Sequence, residues 1–255
     1  MRTALCVAVF LMAVSALAAD TSELQNRRQR AAADFGDGIL MVHAKSVVDE
    51  SADGFRQDPA FYYFTGLENT VGAILAIDGR SHGSWLFLSP PTPNERFLAG
   101  ATGPLKGSPG SDALKQAGIE HVVDWSELAS FLEKNGTVTT ALYYPAVKYS
   151  RPELPPNITG DPPSAPLWAL AIARRWPSLQ LKEASARVNA LMAVQSPSEL
   201  VNVRAAAKAT VQAVMAGIHA IGPGVSQRSV EAAVEDACWR AGAHGASFWR
   251  GQWRG

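Results

Sequence analysis

Short apolar runs alternate with polar or amphipathic segments between residues 23 and 144. The apolar runs are bounded by turn residues and predict β-strands at Ile39–Val42, Val71–Ile77, Trp85–Leu88, Val122–Val123 and Thr139–Tyr144. The segments before and between these runs predict helices at Glu23–Asp34, Ser111–Ala117 and Ser126–Glu133. The turn Asp78-Gly79-Arg80 makes the second and third strands a hairpin-like pair. Strands that alternate with short helices favour an α/β layer architecture over a β-sandwich.

Two consecutive amphipathic helices are predicted near the C-terminus. Ser196-Pro197-Ser198-Glu199 is a capping box, in which Ser196 and Glu199 satisfy each other's backbone N–H groups. The helix that follows carries an apolar stripe, and Gly222-Pro223-Gly224 ends it. The stripe consists of Leu200, Val203, Ala207, Val211, Val214, Ile218 and Ile221. The second helix, from about Gln227 to Ala241, places Val230, Val234, Ala237, Cys238 and Ala241 on one face.

The first 19 residues have the order of charged, apolar and small residues that is typical of a secretory signal peptide. Arg2 precedes the apolar run Ala4–Val14, and small residues follow it. We expect cleavage near Ala18 or Ala19, and export to the periplasm or the medium. A buried N-terminal helix is the alternative. The run is too short to cross a bilayer, and no second segment predicts a membrane span.

Composition narrows the class of protein. The 255 residues contain 23 basic and 23 acidic side chains, so the net charge is zero, which argues against a nucleic-acid-binding protein. Hydrophobic residues make up 47% of the chain, enough for a sizeable core. The two cysteines, Cys6 and Cys238, form no C-x-x-C pair, and Cys238 on an apolar helix face is interpreted as a buried small hydrophobe.

The sequence contains no recognisable set of catalytic or metal-ligating residues, and we assign none. His43, His82, His121, His219 and His244 form no H-E-x-x-H or similar cluster. His219 is interpreted as a surface or packing histidine, whereas loop-like His244 leaves a site role open. Phe55-Arg56-Gln57-Asp58, followed by the aromatic run Phe61–Phe64, is interpreted as a strand that enters the core, with Arg56 and Asp58 paired at its edge. The alternative is a pocket wall or a subunit contact.

The stretch F-R-Q-D-x-x-F-Y-Y-x-T-G, from Phe55 to Gly66, resembles the N-terminal domain of aminopeptidase P (Xaa-Pro aminopeptidase). This family belongs to the superfamily of creatinase, prolidase and methionine aminopeptidase. Leu191–Ala207 is similar to the passage that opens the family's catalytic domain, and Ile221–Gly224 is similar to the turn before its next helix.

The resemblance implies an α/β fold in which a mixed β-sheet with flanking helices precedes the first two helices of an incomplete pita-bread domain. After the signal peptide over residues 1–19, the resemblance implies an N-terminal domain over 20–185 and the start of a truncated catalytic domain over 186–255. The full-length relative would release an N-terminal residue that precedes proline. It would use two manganese ions, act on proline-containing peptides and form a homo-oligomer, without nucleic acid or a membrane span.

Several positions depart from the family pattern. Met192 and Gln195 replace the usual arginine and lysine, and a glutamate common after the proline-glycine turn is replaced around Ser226-Gln227. The family's metal ligands lie beyond the position of Phe248, which predicts that this chain binds no manganese and is inactive. A frameshift or premature stop near Phe248 is our hypothesis for the odd ending. A non-catalytic exported binding or assembly module, or a fragment of a prolidase-like dipeptidase, are the alternatives.

Overall fold

The structure is a computed structural model, and it describes residues 20–45, 57–68, 70–90, 111–136, 141–146 and 165–243. These residues divide into two compact units, one that ends at Gln195 and one that begins at Ser196. We call them the sheet unit and the helix pair. The sequence-based domain boundary between residues 185 and 186 stays a prediction.

The sheet unit is built on a mixed six-stranded β-sheet. Its strands are β1 (Ile39–His43), β2 (Ile74–Asp78), β3 (Ser84–Leu88), β4 (His121–Asp124), β5 (Ala141–Tyr144) and β6 (Gln180–Glu183). They lie in the order β4-β3-β2-β1-β5-β6. β2 runs antiparallel to both of its neighbours, with Met41 opposite Ala76, and every other pairing is parallel. The predicted hairpin is therefore confirmed, although β2 begins at Ile74 and not at Val71.

Helices cover both faces of this sheet. They are α1 (Thr21–Phe35), α2 (Pro59–Thr65), α3 (Ser111–Ala117), α4 (Leu128–Gly136), α5 (Leu167–Arg175) and α6 (Ser185–Ala193), with a 3₁₀ turn at Trp125–Glu127. On one face, α1, α2, α3 and α6 pack over Leu40 and Val42 of β1. On the other face, α4 and α5 pack over Ile39 and Met41. Alternate residues of β1 thus enter two different cores, which explains why its sequence is continuously apolar.

The second unit consists of α7 (Pro197–Ala220) and α8 (Gln227–Arg240). The predicted capping box is present, because Ser196 N–H donates to Glu199 Oε2 at 2.8 Å and Glu199 N–H donates to Ser196 Oγ at 3.2 Å. Gly224 adopts a left-handed conformation in the turn between the helices. Both predicted helices are confirmed to within a residue or so at each end. No helix in the described ranges has the length and apolar character that crossing a bilayer requires.

The predicted fold class, an α/β protein with a mixed sheet and flanking helices followed by two helices, is confirmed. One element was predicted wrongly. The segment that contains Phe61–Phe64 is the short helix α2, not a strand. Three elements between residues 167 and 193 (α5, β6 and α6) were not predicted at all. α5 and α6 are apolar at most positions, so neither shows one distinct apolar face, and β6 is only four residues long with a single apolar residue.

Candidate functional site

The aromatic segment that resembles a family signature forms a helix because both of its ends are capped. Asp58 Oδ1 accepts from Phe61 N–H at 2.9 Å, and Pro59 occupies the first turn. At the other end Gly66 is left-handed (φ 67°), and its N–H donates to Tyr62 O at 2.7 Å. Asp58 is therefore a helix cap, and the prediction that it lies at the edge of a strand is wrong. Its pairing with Arg56 stays a prediction. Arg56 itself lies outside the described residues.

Three of the four aromatic side chains in this helix point into the core. Phe61 and Phe64 are fully buried, Tyr63 is 5% exposed, and Tyr62 is 45% exposed. The Tyr63 hydroxyl donates to Leu191 O at 2.8 Å and accepts from Arg30 Nη2 at 3.0 Å. Tyr63 thus connects α2 to α1 and α6, and this part of the motif holds the fold together.

Two adjacent arginines of α1 are buried, which the sequence did not reveal. The Arg27 guanidinium lies 4.4 Å from the centre of the Tyr63 ring, and its Nη1 donates to Tyr63 O at 3.0 Å. It also pairs with Glu23 one turn earlier in the helix. These contacts satisfy a charge that burial alone would destabilise.

Arg28 joins the C-terminal ends of two helices. Its Nη1 donates to Phe64 O and to Ala117 O, both at 2.9 Å, and its Nη2 donates to Gly118 O. These carbonyls lie at the ends of α2 and α3, where helices leave acceptors without intrahelical partners and carry partial negative charge. Burial lowers the pKa of Arg28 to about 10, and the nearby Glu120 carboxylate partly opposes that shift. The side chain remains protonated at neutral pH.

Of the four histidines that the structure describes, His43 is the least exposed. It is the last residue of β1, and its ring stacks on Trp168 of α5 with the centroids 6.0 Å apart. Its Nδ1 contacts the carbonyl of Ala44, which fixes Nδ1 as the protonated nitrogen. Burial lowers the pKa of His43, while Ala44 and Asp58 act in the opposite direction. The imidazole is neutral at pH 7 as a result.

The other histidines are dispersed. The His121 ring stacks on Trp85 at 4.9 Å, and His82 Nδ1 lies 3.3 Å from Gln29 Oε1. His219 is exposed on α7, in agreement with its interpretation as a surface residue, and Cys238 is buried as expected. His244 lies outside the described residues. Within the described ranges, no three His, Cys, Asp or Glu side chains come close enough together to hold a metal ion.

The polar side chains described above cap helices or join one element to another. The described residues therefore do not form a site that fits a pair of manganese ions.

Comparison with known families shows what this part of the chain is similar to. Residues 24–143 match the sequence model of "Aminopeptidase P, N-terminal domain". The match covers 120 of the 255 residues, and it places the N-terminal domain of the aminopeptidase P family in this part of the chain. The match spans α1 to β5, so it includes both buried arginines, the capped helix α2 and five of the six strands. Among curated protein sequences, none matches this chain.

Solved structures extend the similarity in fold beyond that range. An aminopeptidase P from Escherichia coli, solved with the inhibitor Pro-Leu, matches with a TM-score of 0.64 and 22% identity, over 89% of this chain and 51% of its own. A protein described as an aminopeptidase P from Bacillus anthracis matches with a TM-score of 0.68 and 14% identity, over 88% of this chain and 52% of its own. Proline aminopeptidase P II from Yersinia pestis gives a TM-score of 0.65 and 18% identity, over 89% and 51%. The chain therefore spans about half the length of the structures it matches.

Proposed function

We propose that these 255 residues are the scaffold portion of an exported, metal-dependent Xaa-Pro aminopeptidase. The observation that supports this most directly is the family match over residues 24–143, on a fold that relatives share over 88–89% of this chain. In this proposal the sheet unit supports assembly and the access of proline-containing peptides. Hydrolysis would be carried out by residues equivalent to those in the other half of the longer relatives, and the two manganese ions would bind there.

The chain on its own is proposed to be inactive. A two-metal hydrolase needs carboxylate and imidazole ligands to hold the ions that activate water. Among the described residues, no three His, Cys, Asp or Glu side chains lie close enough together to hold a metal ion. We expect no hydrolysis of Xaa-Pro tripeptides by the purified 255-residue chain at millimolar Mn²⁺, and no stoichiometric Mn²⁺ binding by calorimetry. Turnover that chelation abolishes and Mn²⁺ restores would contradict the proposal.

The scaffold role is tested by a chimaera. Residues 20–195 would replace the matched N-terminal domain of the E. coli aminopeptidase P, and the product would be assayed on Xaa-Pro peptides. We expect metal-dependent hydrolysis. The matched control carries Leu86→Asp, because Leu86 is fully buried in the sheet and an unpaired carboxylate there disrupts the core. A folded chimaera that is inactive would contradict the scaffold role.

Export is proposed from the first 19 residues. Expression with the native N-terminus in a bacterial host should yield a periplasmic or secreted product that begins at Ala19 or Asp20. Intact mass measurement decides this, and an uncleaved chain that stays in the cytoplasm would contradict export.

A second candidate function is a non-catalytic binding or assembly module. The exposed apolar face of α7 is the observation that favours it, because contiguous apolar surface often marks an interaction site.

A further inference from the structure

Helix α6 ends without the left-handed glycine that closes many helices. Its C-cap, Val194, is extended (φ −92°, ψ 103°). Two side chains bind carbonyls of its last turn: the Tyr63 hydroxyl donates to Leu191 O at 2.8 Å, and Gln195 Nε2 donates to Met192 O at 3.2 Å. Carbonyls in the last turn of a helix have no intrahelical donor, so these side chains determine how α6 ends.

The Tyr63 hydroxyl is directed at Leu191 by Arg30. A guanidinium has no acceptor, so Arg30 is the donor in its 3.0 Å contact with the Tyr63 oxygen. The single proton of the hydroxyl is therefore left for Leu191 O. Donation by a charged group also polarises the O–H bond, which strengthens the hydrogen bond that the hydroxyl makes.

The Tyr63 ring is itself held in place. It is 5% exposed, the Arg27 guanidinium lies 4.4 Å from its centre, and the Phe64 ring packs edge-on against it at 5.0 Å. Arg27 Nη1 also donates to Tyr63 O at 3.0 Å, and α2 is capped at both ends. The hydroxyl is thus a fixed point against which the last turn of α6 is held.

Separate contacts hold the first half of α6. Arg187 Nε donates to Asp34 Oδ2 at 2.9 Å, and the guanidinium lies 4.1 Å from the centre of the Phe35 ring. Val188 is buried in the core that α1 and α2 share. Loss of the Tyr63 hydroxyl would therefore loosen the last turn of α6 and leave the rest of the helix in place.

The connection from α6 to the next helix is short. Val194 and Gln195 alone separate Ala193, the last residue of α6, from Ser196, the N-cap of α7. Even when fully extended, such a connection spans about 11 Å at most. The last turn of α6 therefore limits where the chain that follows can begin.

We propose that Tyr63 is a positioning residue for the Xaa-Pro hydrolysis proposed above. Its hydroxyl holds the last turn of α6 and so fixes the point at which the chain leaves the sheet unit. The inference rests on the proposed function, in which the sheet unit supports the access of peptides to a catalytic portion that follows α6. Tyr63 acts through the carbonyl of Leu191, not on the substrate itself.

Hydrogen exchange on the full chain tests the contact between Tyr63 and α6. Tyr63→Phe deletes one hydroxyl and keeps the ring, so amides 191–195 should exchange roughly five- to tenfold faster, which corresponds to the loss of one hydrogen bond. Amides of α1 should be unchanged. Tyr62→Phe is the matched control, because it deletes the hydroxyl of a neighbour that is 45% exposed. An equal effect in both variants, or equal acceleration in α1 and α6, would overturn the proposal.

The chimaera described above tests the consequence for the reaction. Tyr63→Phe should raise KM for Xaa-Pro peptides at least about threefold and change kcat by less than about twofold, because access is affected and the metal-dependent step is not. Tyr62→Phe should match the parent chimaera. A merely structural role would lower the fraction of active enzyme, and hence kcat, at unchanged KM.

That kinetic result, or kinetics equal to those of the parent, would overturn the positioning role. Inactivity of the folded parent chimaera would refute the proposed function and this role with it. That failure is distinct from one seen only in the Tyr63→Phe variant.

Discussion

The sheet unit and the helix pair differ in which kinds of side chain they bury and which they expose. The sheet unit buries charge, with Arg27 and Arg28 only 4% and 2% exposed beneath its helices. The helix pair exposes apolar surface, with Val211 at 63% and Ile218 at 54%. In the sheet unit, both buried guanidinium groups donate hydrogen bonds to backbone carbonyls through their Nη atoms, whereas Arg28 Nε is buried without a hydrogen-bond partner. In the helix pair, the described buried residues are few: Ala209, Ala213 and Gly217 of α7, which form a narrow seam of small residues against α8, and Cys238 of α8.

This difference follows from the number of packed layers in each unit. A sheet covered on both faces encloses two cores, so β1 buries every apolar side chain it has. Two helices enclose one seam, and a helix with two apolar faces keeps one of them exposed unless another element covers it. We conclude that the sheet unit closes its own core, whereas the helix pair depends on further contacts for its full stability.

The largest expected effect comes from removing a buried charge. Arg28→Met leaves the carbonyls of Phe64, Ala117 and Gly118 without their donor, so the free energy of unfolding should fall by about 3–5 kcal/mol. Arg30→Met, an exposed position on the same helix, should cost about 1 kcal/mol or less. Urea unfolding followed by tryptophan fluorescence measures both. Equal losses would refute the view that the sheet unit depends on its buried arginine.

The seam of the helix pair is tested at Gly217. A valine there would collide with Val234, and overpacking of this kind typically costs about 1–3 kcal/mol. Thr210→Val is the control, because it adds the same side chain at an exposed position of α7. Thermal loss of helical ellipticity, recorded at low micromolar concentration, compares the two variants. If Gly217→Val were tolerated as well as the control, the small-residue seam would not be what holds α7 to α8.

A smaller effect is expected at the cap of α2. Asp58→Ala should cost about 1 kcal/mol because Phe61 N–H loses its acceptor, whereas Asp58→Asn should be nearly neutral, since asparagine is as good a cap. Chemical unfolding measures the difference. If the negative charge were what mattered, as in an ion pair, both variants would be destabilised alike.

The smallest effect concerns pH. Because burial lowers the pKa of His43 in the folded state, the unfolded chain takes up a proton at higher pH than the folded chain does. This part of the stability is complete above about pH 6.5, the ordinary imidazole value, and is lost as the pH falls below it. His43→Gln should reduce the loss of stability between pH 7.5 and pH 5.0, measured as a shift in the urea midpoint. An unchanged pH dependence would show that His43 is not the responsible group.

Regular signals made part of this structure predictable. Ser196 and Glu199 predict the start of α7, and the apolar runs around Leu40, Leu75 and Leu86 predict the central strands. These elements are predictable because local chemistry determines them. The apolar stripe of α7 was predicted from its period, and in the structure most of its large side chains are exposed. The contact of Ala209, Ala213 and Gly217 with α8 was not predicted, because alanine and glycine give little hydrophobic signal.

Other features depend on tertiary contacts that sequence patterns do not contain. Arg27 and Arg28 lie in a polar stretch, and only the positions of α2 and α3 show why they are buried. The helix at Phe61–Phe64 was predicted as a strand because aromatic residues favour sheets. The capping residues Asp58, Pro59 and Gly66 determine the helix here, and they override the strand preference of the aromatic residues.

Native-state hydrogen exchange of the full chain tests the central claim most directly. If the sheet unit closes its own core, amides of β1, β2 and β5 should exchange only through global unfolding. Amides of α7 and α8 should exchange faster, through opening of the helix pair alone. Equal protection of Val42 and Ala213 at low concentration would contradict the account, because it would show that both regions unfold as one cooperative unit.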